Sequence, residues 1–160
     1  MNKKLLTLVV VLIILLIIIT TMGIFAFLNK NKAKVIETKI FSGVIFPEDY
    51  SISFLKEGKR YTPSSEDITK AEEILEKCLK EQNLSVYSKL SQYKRQYFGL
   101  INADNGKIIY INAGIGFEEF EKPNWKKDYV SVNDGGDNFF NIKVNLNQEK
   151  CFDFYVNGVA

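Results

Sequence analysis

Residues 93–113, YKRQYFGLINADNGKIIYINA, carry the strongest hairpin signal in this sequence. Two runs rich in β-branched and aromatic residues, 93–102 and 107–113, flank the dipeptide Asn105-Gly106. Asn-Gly between two such runs is a strong hairpin signal, because both residues accept the positive φ that a tight turn requires. The stretch therefore predicts two antiparallel strands.

The sequence downstream continues the strand pattern. Alternation of polar and apolar residues predicts three more strands, at 129–133, 139–146 and 151–157. Between the first two of them, Asp134-Gly135-Gly136-Asp137 predicts a tight turn. Two further strand candidates lie upstream, at 39–46 and 51–55.

The segment before the hairpin predicts an amphipathic helix. Ser64 is a suitable N-cap, and Asp67 three residues later completes a short form of the capping box. Apolar residues then recur at three- and four-residue spacings, which places them on one stripe of a helix. The stripe consists of Ile68, Ala71, Ile74, Leu75, Cys78 and Leu79.

The N-terminus carries a long apolar run. Residues 5–28, LLTLVVVLIILLIIITTMGIFAFL, contain no charged side chain. A helix that crosses a bilayer needs about 20 apolar residues, whereas the apolar core of a signal peptide has about 7–15. The length predicts an uncleaved signal anchor, with the membrane as the partner of residues 5–28. The expected location is the cytoplasmic membrane, single-pass, with the C-terminal domain outside on the periplasmic side; secretion after cleavage is the alternative.

These elements together predict an α+β fold. We expect an N-terminal transmembrane helix followed by one amphipathic helix packed on an antiparallel meander sheet of four or five strands. The expected organisation is a membrane anchor at 1–28, a juxtamembrane linker with N-terminal strand candidates at 29–60, and a helix-on-sheet domain at 61–160.

The composition excludes several classes of function. The 160 residues include no His, which removes His-based general bases and His-ligated metals. Residues 35–160 carry more acidic than basic side chains, whereas a nucleic-acid-binding surface needs basic ones. Asp134, Asp137 and Asn138 lack the spacing of an EF-hand and are better explained by a turn. We therefore expect no nucleic-acid partner, no cofactor, no metal and no enzymatic activity.

The two cysteines are predicted to remain separate thiols. Cys78 lies on the helix stripe, whereas alternation with Phe152 places Cys151 on the sheet face away from the helix. A disulfide requires Cα atoms within about 7 Å of each other. The alternative is a disulfide, which the expected export of the chain would favour.

The same alternation predicts a polar, tyrosine-rich sheet face opposite the helix. Tyr and Arg are enriched in interfaces because they bury a large area and keep a polar group. We predict partner contacts by Tyr97, Tyr110, Tyr129, Tyr155, Arg95, Lys143 and Asp153. The alternatives are that strand faces favour Tyr in any case, or that residues 35–60 cover this face. An exposed face would tolerate Tyr110→Glu.

Three segments carry a resemblance to known proteins. TPSSEDITKAEEIL, YKRQYFGLIN and NDGGDNFFNIKVNL resemble small uncharacterised exported or membrane-anchored proteins of Bacteroidota-type bacteria. The helix-on-sheet order, with the closing FFNIKVNLNQEKCFDFYVNG, resembles the architecture of cystatin-like and PepSY-like domains. The inhibitory Q-x-V-x-G motif of cystatins is absent. The resemblance implies an architecture and no activity or site residue.

Two functions follow as expectations. The first is a membrane-anchored, envelope-facing, non-catalytic domain that binds an envelope protein or component through the tyrosine-rich face. The second, which the architectural resemblance motivates, is an inhibitor or immunity-like domain that blocks a protease or toxin.

Overall fold

The computed structural model describes residues 3–30, 32–55, 58–82 and 84–158 of the chain. The chain divides into two compact units, Met1–Lys32 and Ala33–Ala160. The described residues form two α-helices, three short 3₁₀ helices and a seven-stranded mixed sheet. The α+β class is therefore as predicted, but the composition of the fold differs from the prediction in two respects.

The first difference concerns the N-terminal unit. It holds helix α1, Lys3–Lys30, in which the side chains at 8–24 are exposed. Over the part of the chain that the structure describes, no helix has both the length and the apolarity needed to cross a membrane. The predicted transmembrane anchor, and with it the single-pass membrane location, is thereby corrected.

The second difference concerns the sheet. Its strands are β1 Lys34–Glu37, β2 Ser42–Ile45, β3 Lys59–Tyr61, β4 Lys94–Ile101, β5 Lys107–Gly114, β6 Phe139–Asn145 and β7 Lys150–Val156. The order is β1-β2-β4-β5-β6-β7. One edge of β4 is shared, because β2 pairs with its first half and β3 with its second half.

The prediction of four or five antiparallel strands was therefore wrong. Residues 34–61 contribute three strands to the sheet, and β2 runs parallel to β4. A parallel pair needs a crossover connection, and the helix between the two strands supplies it. The candidates at 51–55 and 129–133 are not strands.

Helix α2, Ser65–Glu81, forms where the sequence predicts it. The hydroxyl of Ser64 accepts from the Asp67 amide at 3.1 Å, and the Asp67 carboxylate accepts from the Ser64 amide at 3.1 Å. The capping box is thus confirmed. The predicted apolar stripe packs on β4–β7 in the first core cluster, with Ile68, Ala71 and Leu75 fully buried.

The opposite sheet face is also covered. A second core cluster contains Phe46, Phe98, Leu100, Phe117, Trp125 and Val130, among others. Its residues outside the sheet come from the segments 46–55 and 117–130. The sheet therefore lies between α2 and a layer of irregular chain, and neither face is broadly exposed.

A bulge in β7 corrects the prediction for the cysteines. Asn141 pairs with Tyr155 but Lys143 pairs with Phe152, so two residues of β7 oppose one of β6. Such an extra residue reverses which face the following side chains occupy. Cys151 is therefore on the helix side, paired with Val144, and forms a disulfide with Cys78 at a Cα–Cα distance of 6.2 Å.

Candidate functional site

The structure divides the seven predicted contact residues between the two sheet faces. In the hairpin, Tyr97 pairs with Ile111 and Phe98 pairs with Tyr110. Paired residues share a face, so Tyr97 and Arg95 lie under α2 while Tyr110 lies on the other side. The predicted common face is therefore wrong for Arg95 and Tyr97. The other five, Tyr110, Tyr129, Tyr155, Lys143 and Asp153, come together.

Those five residues line one open groove on the face away from α2. The groove has a volume of about 550 Å³, within the range of about 300–1,000 Å³ that is usual for ligand sites. Phe54, Ser131 and Asn141 are also in its wall. A smaller cavity of about 230 Å³ adjoins it and shares Tyr129, Ser131, Asn141 and Tyr155 with it. The groove is our candidate functional site.

One wall of the groove is the irregular segment 129–133, which two buried amides hold in place. Gln96 Nε2 donates to the carbonyls of Trp125 and Asp128, both at 2.7 Å, and Gln96 Oε1 accepts from the Val130 amide at 3.0 Å. Asn112 Nδ2 donates to the Val130 carbonyl at 2.8 Å and to Gln96 Oε1 at 3.0 Å. The side chains of β4 and β5 thus replace the ladder bonds that a neighbouring strand would make.

Tyr110 and Tyr129 form the floor of the groove. Their hydroxyls are 3.4 Å apart, and the ring of Phe54 lies near both, at centroid distances of 5.6 and 4.9 Å. Burial raises the pKa of both phenols above its ordinary value. Because the Tyr110 side chain is 6% exposed, Tyr110→Glu would bury a carboxylate. The premise that Tyr110 is exposed was therefore wrong, and we expect Tyr110→Glu to destabilise the domain.

The β7 bulge supplies the charged rim of the groove. Asp153 is the bulge residue with φ 52°, and its Oδ2 accepts from Lys143 Nζ at 2.8 Å. The Asp153 side chain is 60% exposed, whereas that of Lys143 is 17% exposed. Asp153 is thus the more accessible residue of the pair. A ligand that enters the groove at this point contacts the Asp153 carboxylate.

Exposed aromatic rings surround this pair. Tyr155, opposite Asn141 in the ladder, is 58% exposed, and Phe54 on the facing wall is 48% exposed. Phe152 is exposed too, and its ring centroid is 5.8 Å from Lys143 Nζ. Clustered exposed aromatics with a polar rim are typical of interaction surfaces.

Arg95 and Tyr97 are buried under α2, where both contact Glu72. The Arg95 guanidinium donates to the carbonyls of Tyr93 and Leu90 at 2.7 and 2.8 Å, and its Nε is 3.0 Å from Glu72 Oε1. Tyr97 donates to the same Glu72 oxygen at 2.8 Å. Burial raises the pKa of Glu72, while Arg95 and the Tyr97 hydrogen bond act in the opposite direction. This network joins α2 to β4.

Sequence reasoning missed Gln96, Asn112 and Glu72. Gln96 and Asn112 are polar residues next to apolar runs in β4 and β5, and a polar residue in a buried strand requires partners. That signal could have indicated a covering segment. Glu72 is a charged helix residue, for which exposure is the ordinary expectation, and its pairing with Arg95 explains why it is buried.

The turn predicted at Asp134–Asp137 is displaced by one residue: a short 3₁₀ helix spans Gly136–Asn138, the Asn138 amide donates to the Gly135 carbonyl at 3.2 Å, and φ is 95° at Gly135 and 58° at Gly136. Asp137 pairs with Lys89 at 2.7 Å. Among the residues that the structure describes, no group of three or more Cys, Asp or Glu side chains is arranged to hold a metal ion.

We also compared this chain with models of protein families, with curated proteins and with solved structures. None of the three comparisons returned a match.

Proposed function

We propose that residues 33–160 act as a non-catalytic binding domain that holds a partner protein in the groove. The observation that carries the proposal is the convergence of Tyr110, Tyr129, Tyr155, Lys143 and Asp153 on one concave site. Aromatic rings contribute large contact areas at a small cost in side-chain entropy. The concave shape adds desolvation, which strengthens each polar contact inside.

The surroundings of the groove support a rigid recognition surface. The ring of Phe54 lies against Tyr110 and Tyr129, and the buried Gln96 and Asn112 amides hold the wall segment 129–133. Strand β7, which carries Asp153 and Tyr155, is linked to α2 by the Cys78–Cys151 disulfide. Preorganised surfaces of this kind lose little freedom on binding, so more of the contact energy appears as affinity.

A photo-cross-linking experiment tests the proposal. Tyr155 is replaced with p-benzoylphenylalanine in the full chain, expressed in its native cell, and irradiated. The matched control places the same group at Phe120, an exposed aromatic outside the groove wall. We expect a defined adduct at position 155 that is missing at position 120. Equal labelling at both positions, or none at position 155, would contradict the proposal.

A second candidate function is the inhibitor or immunity-like domain, and one observation favours it. Ile40 is 71% exposed at the turn between β1 and β2. Thr38 Oγ1 accepts from the amides of Ile40 and Phe41 at 3.1 and 3.0 Å, which fixes the turn. A fixed turn with an exposed apolar side chain can enter an enzyme cleft. In that case Ile40→Ser abolishes partner binding and Tyr155→Ser leaves it unchanged.

A further inference from the structure

Ser131 is in an unusual position on the groove wall. The neighbouring Val130 has both main-chain groups bonded to Gln96 and Asn112, and the Val132 carbonyl accepts from the Asn157 side chain. Within the described chain, no hydrogen bond is made by the main chain of Ser131. Burial alternates along the segment, with Val130 buried and Ser131 exposed. In a chain with this alternation, the peptide groups of Ser131 point away from those of its neighbours.

This arrangement resembles an unpaired edge strand. An extended peptide can satisfy such main-chain groups, while its side chains enter pockets on alternate positions. Ser131 lies in the wall of both the groove and the adjoining smaller cavity. A peptide that lies along segment 129–133 would therefore contact both the groove and the adjoining cavity, and several of its residues would be in contact with the protein.

The groove also specifies the side chains of such a peptide. Phe54 and Tyr155 offer exposed rings to an apolar side chain. Next to them, Asp153 is the exposed half of its pair with Lys143, so a nearby basic side chain gains an acceptor. An acidic side chain there would meet the exposed carboxylate and be disfavoured.

We infer that the groove takes an extended segment of the partner polypeptide, which pairs by its main chain with Ser131 and places an apolar side chain against Phe54 and Tyr155 and a basic side chain against Asp153. This inference rests on the proposed function and names the form of the partner. It excludes a partner that docks only as a folded surface.

A random-peptide selection tests the inference without knowledge of the natural partner. The full chain is immobilised, linear phage-displayed heptapeptides are selected on it, and Kd values of synthetic winners are measured by fluorescence anisotropy. We expect an apolar residue followed within a few positions by Lys or Arg. Tyr155→Ser should weaken binding by about tenfold or more, whereas Phe120→Ser should leave Kd within about twofold.

Two further readouts test the individual contacts. Selection on Asp153→Asn should remove the preference for Lys or Arg and keep that for the apolar residue. N-methylation of the peptide at each main-chain nitrogen in turn should weaken binding by about tenfold at one position at least, because it removes a donor. Insensitivity to every N-methylation would overturn main-chain pairing with Ser131.

The outcome separates this inference from the proposed function. If no peptide binds in a Tyr155-dependent manner while position 155 still cross-links a partner protein, the extended-peptide inference is overturned and the binding function stands. If position 155 also captures no protein, both are overturned.

Discussion

Asp153 accepts a hydrogen bond from Lys143 at 2.8 Å from a bulge position whose φ is 52°. The bulge brings the Asp153 carboxylate to the groove while Cys151, two residues earlier, faces α2 in a disulfide. A single irregularity in β7 therefore determines both the charged rim of the candidate site and the covalent link behind it.

The Lys143–Asp153 pair is expected to matter for binding more than for stability. Ion pairs with an exposed partner contribute about 0–1 kcal/mol, and Asn tolerates the positive φ of Asp153. Asp153→Asn should therefore change the free energy of unfolding, measured in urea, by less than about 1 kcal/mol. The matched control is Glu149→Gln, which removes the exposed pair with Lys70 away from the groove wall. A weaker partner affinity in the Glu149 variant as well would argue against a specific role for Asp153.

Gln96 should be essential for the shape of the groove. Gln96→Leu leaves the Trp125 and Asp128 carbonyls and the Val130 amide without their partner. The Trp125 and Val130 bonds are fully buried. Each unsatisfied buried group costs about 1–3 kcal/mol, so for these two we expect a loss of about 2–6 kcal/mol in the free energy of unfolding. Urea denaturation measures it, and Gln92→Leu, at an exposed position, is the control. A loss below about 1 kcal/mol would show that segment 125–130 does not depend on Gln96.

The disulfide should contribute strongly to stability. Cys78 and Cys151 are separated by 73 residues. In the chain-entropy model, a crosslink over a loop of that length lowers the entropy of the unfolded chain and raises the free energy of unfolding by about 4 kcal/mol. The double variant Cys78→Ser, Cys151→Ser should lose about that amount, and added reductant should then have no further effect on it. A wild-type protein whose urea midpoint is unchanged by reductant would contradict the link.

Alkaline pH should destabilise the protein through its buried tyrosines. Burial raises the pKa of five of them, Tyr61, Tyr93, Tyr97, Tyr110 and Tyr129. Above about pH 10 the unfolded chain releases phenol protons that the folded chain retains, so the free energy of unfolding falls as pH rises. This contribution is complete below about pH 10 and is lost as the pH rises through the raised pKa values.

Urea denaturation between about pH 9 and about pH 11 measures this fall. In Tyr110→Phe the slope of the free energy of unfolding against pH should be smaller than in the wild type. A slope unchanged by that substitution would mean that Tyr110 ionises alike in the folded and unfolded chains.

Local signals in the sequence predicted the elements with strong start and turn chemistry. The capping box at Ser64 and Asp67, the helix stripe and the Asn105-Gly106 hairpin all form as expected. The strand predictions at 39–46, 93–102, 107–113, 139–146 and 151–157 correspond to β2 and β4–β7 with shifted ends. These features depend on interactions between residues that are close in the sequence, so local sequence patterns are enough to predict them.

Features set by distant contacts could not be predicted. The face of Tyr97 depends on its register with Ile111, and the face of Cys151 depends on a bulge with no glycine to mark it. The parallel pairing of β2 with β4 joins Ser42 to Lys94, 52 residues later, and no local sequence pattern marks the two segments as partners. The architectural resemblance to cystatin-like and PepSY-like domains stays a prediction.

Binding through the groove is tested most directly by the affinity of the cross-linked partner, once purified, for two surface variants of the full chain. Titration calorimetry compares Tyr155→Ser, in the groove wall, with Phe120→Ser, outside it. Binding through the groove predicts that Kd rises about tenfold or more for the Tyr155 variant and stays within about twofold of wild type for the Phe120 variant. Equal Kd values for wild type and the Tyr155 variant would contradict the assignment of the groove as the binding site.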